Sequence, residues 1–135
     1  MSRSGYSEEC DNWDLIRWRG AVERAMLGKR GQKLLRELRD ALDAMPVKRL
    51  ITGALEQDGD VCALGAVGVA RGLNMTTLDP VDSKAVAQAF DIAPALAKEI
   101  MAVNDDDFAW REETPEQRWR RVRTWVGYQI PKASG

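Results

Sequence analysis

Residues 33–45, "KLLRELRDALDAM", place Leu34, Leu35, Leu38, Ala41, Leu42 and Met45 along one side of a helix and charged groups along the other. A stripe this continuous cannot face water, and a single helix is marginal alone, so the rest of the chain must supply elements that cover it. Pro46 ends the helix, because it has no amide to donate and its ring clashes with the preceding turn. Upstream, "DNWDLIRWRGAVERAML" reads as a first helix. Asp11 or Asn12 is its cap, Leu15, Trp18, Val22 and Ala25 its inner face, and Gly28 its stop. The second helix is expected to begin beyond the corner "GKRGQ".

Downstream the period changes. Leu50, Ile51 and Leu55 lead into Asp58-Gly59, with Val61 and Cys62 on the far side, the pattern of a small β-hairpin. The run from Ala63 to Gly72 reads as a buried helix whose glycines Gly65 and Gly68 let another part of the chain lie close. Two shorter helices follow, "DSKAVAQAF" and "APALAKEIMAV", and then an acidic loop, "NDDDFAWREE". Thr114-Pro115-Glu116-Gln117 is a capping box with proline at the first helical position, and Trp119, Val122, Trp125 and Val126 form the inner face of the last helix. The expected fold is mainly α: a compact single-domain helical bundle of five or six helices with one short β-hairpin, spanning residues 1–135. The polar lead 1–11 and the tail 131–135 are expected to be flexible.

Several function classes are disfavoured by what the chain lacks. It contains no histidine, which removes Ser-His and Cys-His catalysis, the commonest zinc ligand, and the one side chain that titrates unperturbed near neutrality. Its two cysteines, Cys10 and Cys62, are too few for a disulfide framework or a four-thiolate zinc site. No apolar stretch reaches the ~20 residues of a membrane span, and "MSRSGYSEEC" has no signal-peptide core, so the expected location is the cytoplasm. No cofactor and no metal site are expected.

Charge is segregated. Between Trp13 and Arg39 eight basic residues face three acidic ones, a local +5, whereas residues 52–117 carry four basic against thirteen acidic, a local −9. Within the basic part, Lys29, Arg30 and Gly31 precede a helix start, where cations and free amides can hold an anion. A plain helix-to-helix corner with solvated charges is the competing reading. Arg118 and Arg121 in "RWRRVR" are further anion-binding candidates, set against a structural role covering tryptophan and pairing with Glu112, Glu113 or Glu116. In the acidic loop, Asp105, Asp106, Asp107, Phe108 and Trp110 form a candidate partner-binding patch. The same loop lacks the glycine and the ligand alternation of a calcium loop.

Residues 86–100, from Val86 to Ile100, have the outline of a DNA-reading helix-turn-helix, but Asp91 stands where glycine is usual and the second helix offers only Lys98 and Glu99 as long polar groups. "GYSEECDNWDLIRWRGAV", "GKRGQ", "DGDVCALGA" and "ETPEQRWRRVRTWV" together resemble a group of small bacteriophage- and prophage-encoded proteins with no established activity. The resemblance implies an accessory protein acting inside a bacterial cell on host or defence machinery. The leading expectation is a non-catalytic binding protein whose partner is a host or phage protein or a phosphate-bearing ligand. The alternatives are a DNA-binding regulator using residues 86–100 and a metal-dependent carboxylate enzyme.

Overall fold

A computed structural model describes residues 12–105 and 113–131. Among them the chain forms six helices and one two-stranded hairpin: α1 (Asn12–Leu27), α2 (Lys29–Ala44), β1 (Glu56–Gln57), β2 (Asp60–Val61), α3 (Ala63–Arg71), α4 (Ser83–Phe90), α5 (Pro94–Asp105) and α6 (Pro115–Gln129). This is the mainly helical, compact arrangement with one short hairpin that the sequence predicts.

The apolar stripe of α2 is buried as its spacing requires: Leu34, Leu35, Leu38, Ala41 and Leu42 all lie in the core. α1, α3 and α6 all pack against it. α6 runs antiparallel to α2, for Trp119 Nε1 donates to Leu42 O at 3.2 Å near one end and Gln32 Nε2 donates to Gln129 O at 3.2 Å near the other. Gln32 also donates to Met26 O at 2.6 Å, tying the end of α1, the start of α2 and the end of α6 together.

α2 begins earlier than its sequence suggests. Its first residue is Lys29, so "GKRGQ" is not a loop, and Gly28 alone makes the corner in an extended conformation. Gly31 sits in the first turn of α2 where the backbone of α1 crosses, and a methyl group there would stand 1.8 Å from the Ala25 carbonyl oxygen.

The hairpin pairs Glu56 with Val61 and Gln57 with Asp60, so its turn is Asp58-Gly59. Both turn residues have positive φ (53° and 85°), the conformation a two-residue hairpin turn of the primed type demands. The turn lets the chain double back so that Leu55 and Val61 enter the core. Leu50 and Ile51 are not strand. They are tied instead by Leu50 N to Pro115 O at 3.1 Å and Ile51 N to Val61 O at 2.9 Å.

α3 follows at once, and the glycine-rich run is packing. A Cβ on Gly65 would lie 1.9 Å from Leu55 O, so only glycine lets the hairpin approach this closely. Gly72 closes α3 in the left-handed region (φ 71°). Asn104, fully buried on α5, accepts from Ala63 N at 2.9 Å and donates to Ile51 O at 2.8 Å, joining α5 to the start of α3 and to the segment before the hairpin. α6 starts with the expected capping box: Gln117 N donates to Thr114 Oγ1 at 3.1 Å, and Thr114 N donates to Gln117 Oε1 at 2.9 Å. No helix among the described residues is long and apolar enough to cross a membrane.

Two bidentate ion pairs fasten α2 to its neighbours. Arg71 donates to Glu37 at 2.7 and 3.0 Å, and Arg123 donates to Asp43 at 2.7 and 3.1 Å. The hydrogen bonds from Arg71 and Arg123 hold the Glu37 and Asp43 carboxyls below their ordinary values of 4.5 and 3.8, against the opposing effect of partial burial. Depressed native values mean that these pairs stabilise fully above the ordinary carboxyl range, and that their contribution disappears as pH falls through the depressed values. Thermal melts from neutral pH down to about pH 3 should therefore lose stability below about pH 4.5, and the loss should be shallower in an Arg71→Met/Arg123→Met variant. Equal acid slopes would show that the two pairs contribute nothing.

Candidate functional site

The corner between α1 and α2 collects positive charge. Arg24 comes from the last turn of α1, and Lys29 and Arg30 from the first turn of α2; all three are exposed. With Gly28, Gly31 and Ala93 they line an open hollow of about 210 Å³. Gly28 is the N-cap of α2 and, having no side chain, accepts nothing from the first-turn amides. The helix dipole and the uncapped amides thus add to the side-chain charge at one place.

Which cations are free to meet a ligand is decided by their internal partners. Arg19 pairs with Glu99 at 3.1 Å, Arg49 with Asp60 at 2.7 Å, Arg39 with Asp40 at 3.1 Å, and Arg71 and Arg123 as described above. Lys98 sits 5.0 Å from the centre of the Trp18 ring, and Lys48 donates to the carbonyls of Asp43 and Met45 at the end of α2. Among the described residues, Arg24, Lys29, Lys33 and Arg36 form no ion pair, and all four lie on the end of α1 or the outer face of α2. Lys84 and Arg120 are likewise unpaired but stand on other helices. Arg30 meets Asp91 at 3.2 Å, with the two side chains 63% and 75% exposed, so solvent screens that pair and an incoming anion can displace it.

The other sequence candidates fare differently. Gly31 is buried and lines the same hollow, and its missing side chain lets the end of α1 lie close. Arg118 and Arg121 are corrected, since both are turned inward at the end of the bundle opposite Lys29. Arg121 donates to Glu113 at 2.7 and 3.0 Å, to Val103 O at 2.6 Å and to Asn104 O at 3.2 Å. Arg118 donates to Leu50 O at 2.8 Å, and its Nε stands 3.4 Å from Glu113. These arginines cap the end of α5 and hold the segment before the hairpin.

Asp105 is the last residue of α5 and accepts from Asn104 Nδ2 at 3.1 Å. Asp106, Asp107, Phe108 and Trp110, like Cys10, lie outside the described residues. Among the described residues no three carboxylates or cysteines gather as a metal would need. Residues 86–100 do form helix, turn and helix, with Asp91 in the left-handed conformation (φ 57°) that glycine would adopt. The second helix, however, is α5, whose Leu96, Ala97, Glu99, Ile100, Met101, Ala102 and Asn104 are all buried, with α1, α3 and α4 packed around it. Only Pro94, with Ala95 and Lys98 in part, is left exposed along the first turns of this helix, little surface to lay in a groove.

A larger hollow of about 320 Å³ lies between α1 and the end of α6, beside the exposed side chains of Leu27 and Tyr128. Its charged walls, Arg19 and Glu23, are of opposite sign, and Arg19 already meets Glu99. Lys33 and Arg36 were not among the sequence candidates. Their signal was there to read, because positions 29, 33 and 36 share one helix face. Comparison with family models, curated proteins and solved structures finds no match for this chain.

Proposed function

We propose that the protein is a non-catalytic binding protein that holds a phosphate-bearing ligand, a nucleotide or a nucleic acid, at the α1–α2 corner. The observation that carries this reading is the sorting of the cations: most arginines are used up by internal partners, while Arg24 and Lys29 form no ion pair at one uncapped helix start, and Lys33 and Arg36 form none farther along the outer face of that helix. Phosphate oxygens accept hydrogen bonds both from cationic side chains and from first-turn amides, so one group can use every donor there. Holding rather than transforming the ligand fits a chain without imidazole, which has no side chain that titrates near neutrality when unperturbed. The resemblance to phage-encoded proteins supplies the setting: the bacterial cytoplasm, where sequestering such a ligand would alter host or defence machinery.

Reversing charge at the corner tests the reading. A Lys29→Glu/Arg30→Glu variant should bind a fluorescent adenine nucleotide or a labelled oligonucleotide at least about tenfold more weakly than the parent, because charge-assisted hydrogen bonds contribute about 1.5–3 kcal/mol each. Its melting temperature should stay close to the parent's, since both side chains are exposed. A Lys84→Glu variant serves as the control for net charge and should bind like the parent. Binding by the double variant equal to the parent's would remove the proposal.

A further inference from the structure

Lys29, Lys33 and Arg36 follow one another at helical spacings of four and three on the exposed face of α2, so they form a line and not a cluster. At a rise of 1.5 Å per residue the line is about 10 Å long. From this geometry we infer that the ligand is a polymer, the sugar-phosphate backbone of a nucleic-acid duplex, and not a single nucleotide; the inference rests on the anion-binding reading above.

Length decides between the two ligands. A nucleotide gathers its charge on adjacent phosphates and can be satisfied at the corner by Lys29, Arg30 and the amides alone. Lys33 and Arg36 would then face water. The phosphates of a duplex strand follow one another along its backbone and are not gathered on one residue, so a line of about 10 Å meets at least two of them in succession. Duplex is favoured over single strand because α2 carries no aromatic residue on which an unpaired base could stack. Carboxylates bound the line: Asp40 lies one turn beyond Arg36, and Asp91 stands beside Arg30. Glu37 lies beside it, hydrogen-bonded to Arg71 and within electrostatic reach of Lys33. The footprint is therefore about three phosphates wide at most, and phosphate contacts of this kind carry no sequence information.

The test measures fluorescence anisotropy of a labelled duplex of about 20 base pairs and of a labelled adenine nucleotide, in the parent and in a Lys33→Gln/Arg36→Gln variant. With about three phosphates engaged, duplex affinity in the parent should fall about 40-fold between about 50 and 200 mM salt. In the variant the slope of log affinity against log salt should drop by about two, duplex binding at low salt should weaken at least about tenfold, and nucleotide binding should change less than about twofold. Both replaced side chains are exposed, so an unchanged melting temperature shows that the variant is folded. Unaltered duplex binding by the variant would overturn the inference, as would parent protein that binds the nucleotide but not the duplex. Equal affinity for poly-glutamate and duplex would overturn it too, in favour of an acidic polypeptide. Failure to bind either duplex or nucleotide would sink the anion-binding reading itself, an outcome distinct from the others.

Discussion

Gly31→Ala is expected to lower the stability of the protein by about 2 kcal/mol or more, a fall of about 10 °C in melting temperature for a chain of this length. Two effects oppose each other at this position. Alanine is the better helix former by about 1 kcal/mol, so on propensity alone the variant would be more stable. Against this, the new methyl would stand 1.8 Å from Ala25 O, 2.9 Å from Ala25 C and 3.2 Å from Met26 Cα. Those atoms belong to the backbone of α1, and no side-chain rotation can clear them. α1 would have to move as a whole, and with it Val22 and Met26, which are packed into the core. The clash therefore exceeds the gain in propensity.

The sign of the change separates two roles for the same residue. Alanine keeps the amide at position 31, so if Gly31 served the fold only as a first-turn donor the variant would melt higher than the parent. A higher melting temperature would overturn the packing role assigned here. The Lys29→Glu/Arg30→Glu variant should show the opposite profile, with binding lost and stability kept. Neighbours in the sequence thus divide the work, the glycine setting where α2 starts and the cations beside it serving the ligand.

What could be read in the sequence was local. The stripe from Leu34 to Met45, the Asp58-Gly59 turn, the glycine end of α3 and the Thr114 capping box each depend on residues a few positions apart, and each stands in the structure as expected. What could not be read depends on distant partners. The early start of α2 is the exception, for it lies beside a contact only five and six residues away, where the backbone of Met26 and Ala25 meets Gly31. Asn104 was placed in an acidic loop because three aspartates follow it, yet it is the polar pin between α5 and the start of α3. α5 lacks a clear polar face because other helices cover it on several sides, and in the sequence that same composition resembles a reading helix. Arg118 looked available for a ligand because its acceptor, Leu50 O, lies 68 residues away. The line of Lys29, Lys33 and Arg36 could have been seen from spacing alone. It was obscured because cations on the outer face of a helix usually do no more than keep it solvated.

Arg121→Met is expected to destabilise the protein by about 2–4 kcal/mol and to leave anion binding unchanged. Arg121 makes four hydrogen bonds, two to the Glu113 carboxylate and one each to the carbonyls of Val103 and Asn104. Those carbonyls lie in the last described turn of α5, where the helix dipole favours a cation. Methionine fills similar space along the stem but supplies no donor, so the two carbonyls lose these bonds and Glu113 loses its bidentate partner, while Arg118 Nε stays 3.4 Å from it. The Arg121 and Glu113 side chains are 31% and 17% exposed, so water replaces the lost bonds only in part. Because Glu113 and Arg121 act as one unit, a Glu113→Ala/Arg121→Met variant should lose clearly less stability than the sum of its single variants, and urea titration of all three measures the difference. Were Arg121 instead part of the ligand site, methionine would weaken duplex binding and barely move the urea midpoint. That result would return the anion site to α6 and take it away from the α1–α2 corner.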